Sequence, residues 1–267
     1  MVPDERQAKS NRAQPAAEGC WATCLGDCGG GMTGEHRVSK GLFATDEIMV
    51  QGFHWCLDVP KKIGLASLVA NILCKRHNNA LSELDAAASD AFAVFREAVR
   101  LNHVRQRIKR QPMWNVQRLT IDGPRLERWF LKTLINVSFG GQWTIGPGSH
   151  MAGSVSCNLV EIAFGRRPFE NGAGMYTIAA AGQQMVSEDR VTITPLTQGS
   201  NLNAARFNFR GYSIFLNLLP EVFGMHGDAN LLHRNVTHNW RVQGRLSHAV
   251  LIGGWPDVSA KSANVSK

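Results

Sequence analysis

No stretch of this 267-residue chain approaches the roughly eighteen consecutive apolar residues of a membrane-spanning helix, so no membrane association is expected. The N-terminus lacks an apolar h-region, and the chain reads as cytoplasmic rather than secreted. There is no Gly-x4-Gly-Lys phosphate loop, no serine-nucleophile elbow and no internal repeat. P-loop nucleotide chemistry, α/β-hydrolase chemistry and solenoid folds lose their usual sequence support. Charge is sparse: 19% of residues are charged and 44% hydrophobic, which excludes a chain disordered throughout. The length suits one large domain or two ordinary ones.

What the chain does have is concentrated between Cys20 and Asn79. This stretch opens with Cys20, Cys24 and Cys28. It runs through Gly34-Glu35-His36-Arg37-Val38 and closes with Leu73-Cys74-Lys75-Arg76-His77-Asn78-Asn79. Structural zinc takes four sulfur or nitrogen ligands in a tetrahedron, usually delivered as two short pairs. Cys24 and Cys28 form one such pair; Cys74 and His77 form the other. Cys20 competes for the first pair, because Cys20-x3-Cys24 has the same spacing. Such spacings in an intracellular chain favour metal over disulfide. The expectation is a small zinc-stapled module, with Zn2+ bound by Cys24, Cys28, Cys74 and His77.

The order Cys…Cys, then Glu-His, then Cys-x-x-ligand followed directly by Asn resembles the HNH endonucleases of the ββα-metal class. The resemblance covers about sixty residues. It implies that Glu35-His36 lies on the first strand of a hairpin and that the second zinc pair leads into a helix. It makes His36 a general base that activates water, and Glu35 a ligand or orienter of a catalytic Mg2+ or Mn2+. Asn78 takes the helix-borne position of the motif's last residue, with Asn79 as its rival. Ser39 stands where the family usually has Pro, and His77 where Cys is commoner. The implied activity is phosphodiester hydrolysis in nucleic acid, with DNA as the expected substrate. The alternative is a zinc-containing nucleic-acid-binding protein that no longer cuts. The chemistry is coherent by itself: hydrolysis needs a water, a base and a cation that takes up developing charge.

The net charge is +8, and between Arg96 and Lys132 ten basic residues face three acids. A basic block beside such a motif suggests a phosphate-backbone footprint, with Arg105, Arg107, Lys109, Arg110, Arg125, Arg128 and Lys132 as its expected nucleic-acid contacts. A helix is expected from Asn79 to Arg110, its buried stripe formed by Leu84, Ala88, Ala91, Phe92, Phe95, Val99, Val104 and Ile108. A second helix is marked by Asp122 as N-cap and Pro124 in its first turn. Trp129 reads as core rather than as a base-stacking platform.

Beyond Gly140-Gly141 helical periodicity fades. Met175 to Val186, Arg190 to Pro195, Ala204 to Leu219 and Trp240 to Ile252 read as strands. The expected class is α+β. A disordered tail at 1–19 precedes an HNH-like zinc module with basic helices at 20–140. A mainly antiparallel β domain follows at 143–256, then a tail at 257–267. Residues 43–71 read as irregular up to a short second hairpin strand, Val69 to Leu73. His54-x-Cys56 and His226, His233, His238 and His248 read as structural.

Overall fold

A computed structural model describes residues 19–43, 45–53, 55–107, 117–178, 190–209, 212–221, 231–234, 237–240, 249–253 and 255. The chain starts with strands β1 (Met32–His36), β2 (Glu47–Gln51), β3 (Lys61–Gly64) and β4 (Val69–Cys74). Helix α1 (Lys75–Arg107) follows without a break, then β5 (Gln117–Ile121) and helix α2 (Gly123–Ser138). Next come β6 (Thr144–Ile145), α3 (Cys157–Ala163), β7 (Gly174–Ile178), β8 (Arg190–Gln198), β9 (Asn201–Phe209) and β10 (Tyr212–Asn217). The last three strands are β11 (Leu231–His233), β12 (Thr237–Trp240) and β13 (Ala249–Gly253). The architecture is α+β, as expected. Among the described residues no helix is long and apolar enough to cross a membrane.

Strand β1 pairs antiparallel with β4, and β4 feeds directly into α1. The ladder slips between Thr33 and Glu35: Thr33 faces Leu73, but Glu35 faces Ala70. Two steps on β1 are matched by three on β4, so the extra residue of this bulge lies on β4, opposite the approach to Glu35 and His36. Strand β1 ends at His36, and Lys40–Leu42 folds as a 3-10 turn. Helix α1 starts four residues before the expected Asn79. Its first amides are satisfied from outside the helix: Lys75 N–H donates to Gly31 O (2.8 Å) and Arg76 N–H to Gly29 O (3.1 Å). The cysteine-bearing segment thus caps the helix start, a long-range contact that periodicity along α1 does not reveal.

Residues 43–71 hold more order than their composition suggests. The β2–β3 hairpin leaves the β1–β4 pair and joins the large sheet, whose order is β11-β7-β10-β9-β8-β2-β3, with β6 on β9. Strand β2 runs parallel to β8, Met49 opposite Arg190; most other pairs in this sheet are antiparallel. Just beyond β2, Gly52 has φ +88°, and a Cβ there would lie 1.3 Å from the Ile193 carbonyl oxygen. Only glycine lets the backbones approach so closely. The expected single strand from Ala204 to Leu219 is two antiparallel strands, β9 and β10, with Phe209 opposite Tyr212. A third sheet pairs β12 with β13 and β13 in parallel with β5.

The long helix buries Leu84, Ala88, Ala91, Phe92 and Phe95 as its pattern requires. Val104 is exposed, and Ile108 and the side chain of Val99 lie outside the described residues. Helix α2 is buried nearly all round, with Leu126, Trp129, Phe130, Leu131, Leu134, Ile135 and Val137 in the core. Phe92 of α1, Trp129 and Phe130 of α2, and Phe207 and Phe209 of β9 form one aromatic cluster, with several ring pairs edge to face 5.0–5.9 Å apart. The residues expected to form two modules therefore share one continuous core. The Asp122 cap is present: its Oδ1 accepts from Arg125 N–H at 3.0 Å. Asp122→Ala is expected to lower stability by about 1 kcal/mol, read as a shift in the denaturant midpoint.

Candidate metal centre and the adjoining histidine cleft

Four potential ligands converge where the cysteine segment meets the β4–α1 junction. Cys20 and Cys28 come from the N-terminal segment, Cys74 ends β4, and His77 lies in the first turn of α1. Their ligand atoms all lie within 4.8 Å of one another, the one group of this kind among the described residues. His77 Nδ1 is 3.2 Å from Cys20 Sγ, 3.3 Å from Cys74 Sγ and 3.7 Å from Cys28 Sγ. A tetrahedral zinc site has metal–sulfur bonds of about 2.3 Å and metal–nitrogen bonds of about 2.0 Å, which places S and N about 3.5 Å apart. The observed edges bracket that value, so the donor set can hold a metal ion and fits structural zinc. Burial pushes the Cys20 thiol up to about 12. Three converging sulfurs and an imidazole nitrogen are all acceptors once deprotonated, and a cation relieves that crowding.

The imidazole is oriented from behind. His77 Nε2 lies 2.8 Å from Asp27 Oδ1, which directs the Nε2 proton to the carboxylate and leaves Nδ1 as the metal-facing lone pair. Asp27 also meets Arg76 (3.4 Å) and Arg166 (3.2 Å), and the His77 hydrogen bond leads in holding its carboxyl below the ordinary range. Phe164 packs edge-on against the His77 ring at 5.2 Å and against Trp21 at 5.8 Å. The centre is thus enclosed partly by residues that follow α3.

Cys24 stands outside this centre, and Cys20 takes its place. Either pair that the spacing allows contains Cys24. Instead, Thr23–Leu25 forms a 3-10 turn ended by Gly26 at φ +76°, which carries the chain past the cluster. The exposed Cys24 thiol sits beside that of Cys157. Cys28, Cys74 and His77 lie in the cluster as expected. Cys56 is buried, its thiol aimed at Val50 O, and His54 lies outside the described residues.

Glu35 and His36 end β1 beside α1 and α2. His36 is half-buried and lines an open cleft of about 270 Å³ with Glu35, Ser39, Lys40, Asp85 and Ser89. Glu35 is buried. Its Oε1 accepts from Lys132 Nζ at 2.8 Å and from Asn136 Nδ2 at 3.1 Å. Lys132 Nζ also donates to Asp85 Oδ1 and Oδ2 at 2.9 and 2.7 Å. Ser39 Oγ donates to Asp85 Oδ1 at 2.5 Å and accepts from Trp129 Nε1 at 2.8 Å. Burial pushes the Glu35 carboxyl up, against the opposing pull of Lys132. Asn136 also accepts from Trp21 Nε1 at 3.0 Å and, through its carbonyl, from Arg37. One buried polar chain therefore links the neighbour of Cys20 to Glu35.

Lys132 is accordingly not part of a phosphate-binding surface: only 2% of its side chain is exposed, and its ammonium is held by two carboxylates. Arg125 is exposed and pairs with Asp122 and Glu83; Arg128, one-fifth exposed, also faces Glu83. The side chains of Arg105 and Arg107, and the whole of Lys109 and Arg110, lie outside the described residues. Asn78 Nδ2 donates to Thr33 Oγ1 at 3.0 Å, tying α1 to β1, and Asn79 is exposed. Asp27, Asp85 and Asn136 were not anticipated as site residues. Asp85 had a readable signal: it lies seven residues after Asn78, two turns along the same helix face. Asn136 had one too, four residues after Lys132 on α2. Asp27 had none beyond adjacency to Cys28.

No family model matches the chain, and neither a curated protein nor a solved structure matches it.

Proposed function

We propose that this chain is a metal-dependent endonuclease of HNH type that hydrolyses phosphodiester bonds in nucleic acid, with DNA as the expected substrate. In this reading zinc is the structural metal and His36 the general base. The observation that carries it is the placement of His36. It ends a strand paired with β4, β4 delivers Cys74 to the metal cluster, and α1 starts at the next residue. His36 thereby faces an open cleft beside a rigid, metal-capable junction.

Within that cleft His36 holds and moves the proton. A neutral imidazole accepts a proton from water near pH 7, and the β1–β4 pairing with the Glu35–Asn136 hydrogen bond fixes the backbone that carries it. A bound Mg2+ or Mn2+ would supply charge neutralisation at the phosphate. Glu35 Oε1 is already shared by Lys132 and Asn136, which suits the part of orienter better than that of ligand. Glu35 supports the strand behind His36. Asn78 braces α1 against β1 through Thr33.

His36→Ala is expected to lower cleavage by about 10²–10⁴-fold while zinc content and melting temperature stay unchanged. The measurement is cleavage of single- and double-stranded DNA and RNA with Mg2+ or Mn2+. Equal cleavage by mutant and wild type would sink the assignment. The pairing of Glu35 with Lys132 favours a second reading, a zinc-containing nucleic-acid-binding protein that does not cut. It predicts salt-dependent binding without cleavage of any of these substrates.

A further inference from the structure

The ammonium of Lys132 is the feature of this region that neither reading requires. It reaches Glu35 on β1 at 2.8 Å and both carboxylate oxygens of Asp85 on α1 at 2.9 and 2.7 Å, from a side chain only 2% exposed. An ammonium has three donors, and these three oxygens match them. The two carboxylates come from different elements and line the same cleft as His36. Without a positive charge between them, two such carboxylates repel, and one must take up a proton. The remaining polar neighbours only add donors to the same oxygens: Asn136 Nδ2 to Glu35 Oε1 at 3.1 Å and Ser39 Oγ to Asp85 Oδ1 at 2.5 Å.

We propose that Lys132 is the resident cation of the Glu35–Asp85 pair behind this cleft: its ammonium occupies the position between the two carboxylates that an oxygen-seeking divalent ion would need, and it clamps the end of β1 to α1. Lys132 is a positioning residue, because it acts on His36 through Glu35 and does not line the cleft itself. Two contacts from α2, Lys132 Nζ and Asn136 Nδ2 to Glu35 Oε1, hold the strand at the residue preceding the histidine. The charge is supplied by a covalently tethered group, so occupancy of the pair does not depend on the concentration of a free cation. The consequence for His36 rests on the hydrolytic reading above; the occupancy of the carboxylate pair does not, and it can be read without any cleavage.

The test uses the zinc-loaded full chain with Mn2+ as probe, followed by melting temperature and by electron paramagnetic resonance of free Mn2+. Wild type is expected to gain no melting temperature from millimolar Mn2+ through this pair, so its Mn2+ binding should equal that of Asp85→Asn. Lys132→Met exposes the carboxylates to each other. It is expected to melt several degrees lower and to recover most of that loss in millimolar Mn2+; the double variant Lys132→Met/Asp85→Asn should not recover. A structural role in packing alone would give no Mn2+-dependent rescue. The proposal is overturned if wild type binds Mn2+ in a way that Asp85→Asn abolishes, or if folded Lys132→Met gains nothing from Mn2+. Should Lys132→Met not fold, the comparison of wild type with Asp85→Asn still decides. In cleavage assays Glu35→Gln should slow the reaction without changing the Mg2+ concentration for half-maximal rate. If wild type cuts nothing, the hydrolytic reading fails and the Mn2+ results still stand.

Discussion

Protein purified without chelator should carry about one zinc per chain, and Cys20→Ser or Cys74→Ser should abolish tight binding. Cys24→Ser should leave it intact. The contrast between Cys20 and Cys24 is decisive, because spacing puts Cys24 in either possible pair and only the geometry replaces it with Cys20. Structural zinc contributes on the order of 10 kcal/mol in small modules, comparable with the whole stability of an ordinary domain, about 5–15 kcal/mol. Backbone hydrogen bonds hold the same junction, beside the Asp27 ion pairs and the Trp21–Asn136 bond. Trp21 N–H bonds Ile72 O, and Gly31 and Gly29 cap the first amides of α1. Removing the ion should therefore release the cysteine segment, uncap α1 and expose Trp21, which is 4% exposed in the fold. Elemental analysis beside tryptophan fluorescence, with and without chelator, reads both effects. Retention of zinc by Cys20→Ser with loss in Cys24→Ser would reverse the assignment of the cluster.

Trp129→Ala should be the most damaging single substitution in the core, lowering stability by about 3–5 kcal/mol. Trp129 is fully buried between α1 and β9, with Phe92, Phe130 and Phe209 around its ring. Its Nε1 donates to Ser39 Oγ, which in turn holds Asp85. Truncation creates a cavity and removes a donor from this polar chain, so two separate costs add. Trp129→Phe separates them: it keeps a ring and should cost mainly the hydrogen bond, about 1 kcal/mol. Because the cluster joins the N-terminal helices to the large sheet, Trp129→Ala should shift one common unfolding transition seen by probes in both halves. A loss below about 1 kcal/mol, or a shift confined to one half, would refute this account.

Local signals were legible wherever one element decides the outcome. Asp122 and Pro124 mark α2 because a cap and a fixed φ act within one turn, and the stripe from Leu84 to Phe95 marks the buried face of α1. Helix α3 escaped notice: seven residues between glycines and prolines give barely two turns of pattern. The β2–β3 hairpin was missed because its partner, β8, lies far along the chain. At the metal centre, residue types and three ligands were readable, while the choice of Cys20 depended on how the Thr23–Leu25 turn carries the chain. Lys132 misled for a plainer reason. A lysine at helical spacing from Arg125 and Arg128 looks like part of a basic face, and only the approach of Glu35 and Asp85 from two other elements shows that it is buried.

The parallel pairing of β2 with β8 also constrains the order of assembly. Met49 meets Arg190, a partner about 140 residues later. The aromatic cluster around Trp129 likewise waits for Phe207 and Phe209. At roughly 5–20 residues per second of synthesis, several seconds separate emergence of the metal-ligating segment from arrival of the strand that completes its core. Loop closure over such distances is slow, and during that interval the β2 edge and the apolar face of α2 stand uncovered. An ion held by Cys20, Cys28, Cys74 and His77 needs only the first 77 residues. Metal capture can thus precede sheet formation and tether the growing chain while its late strands are still being made.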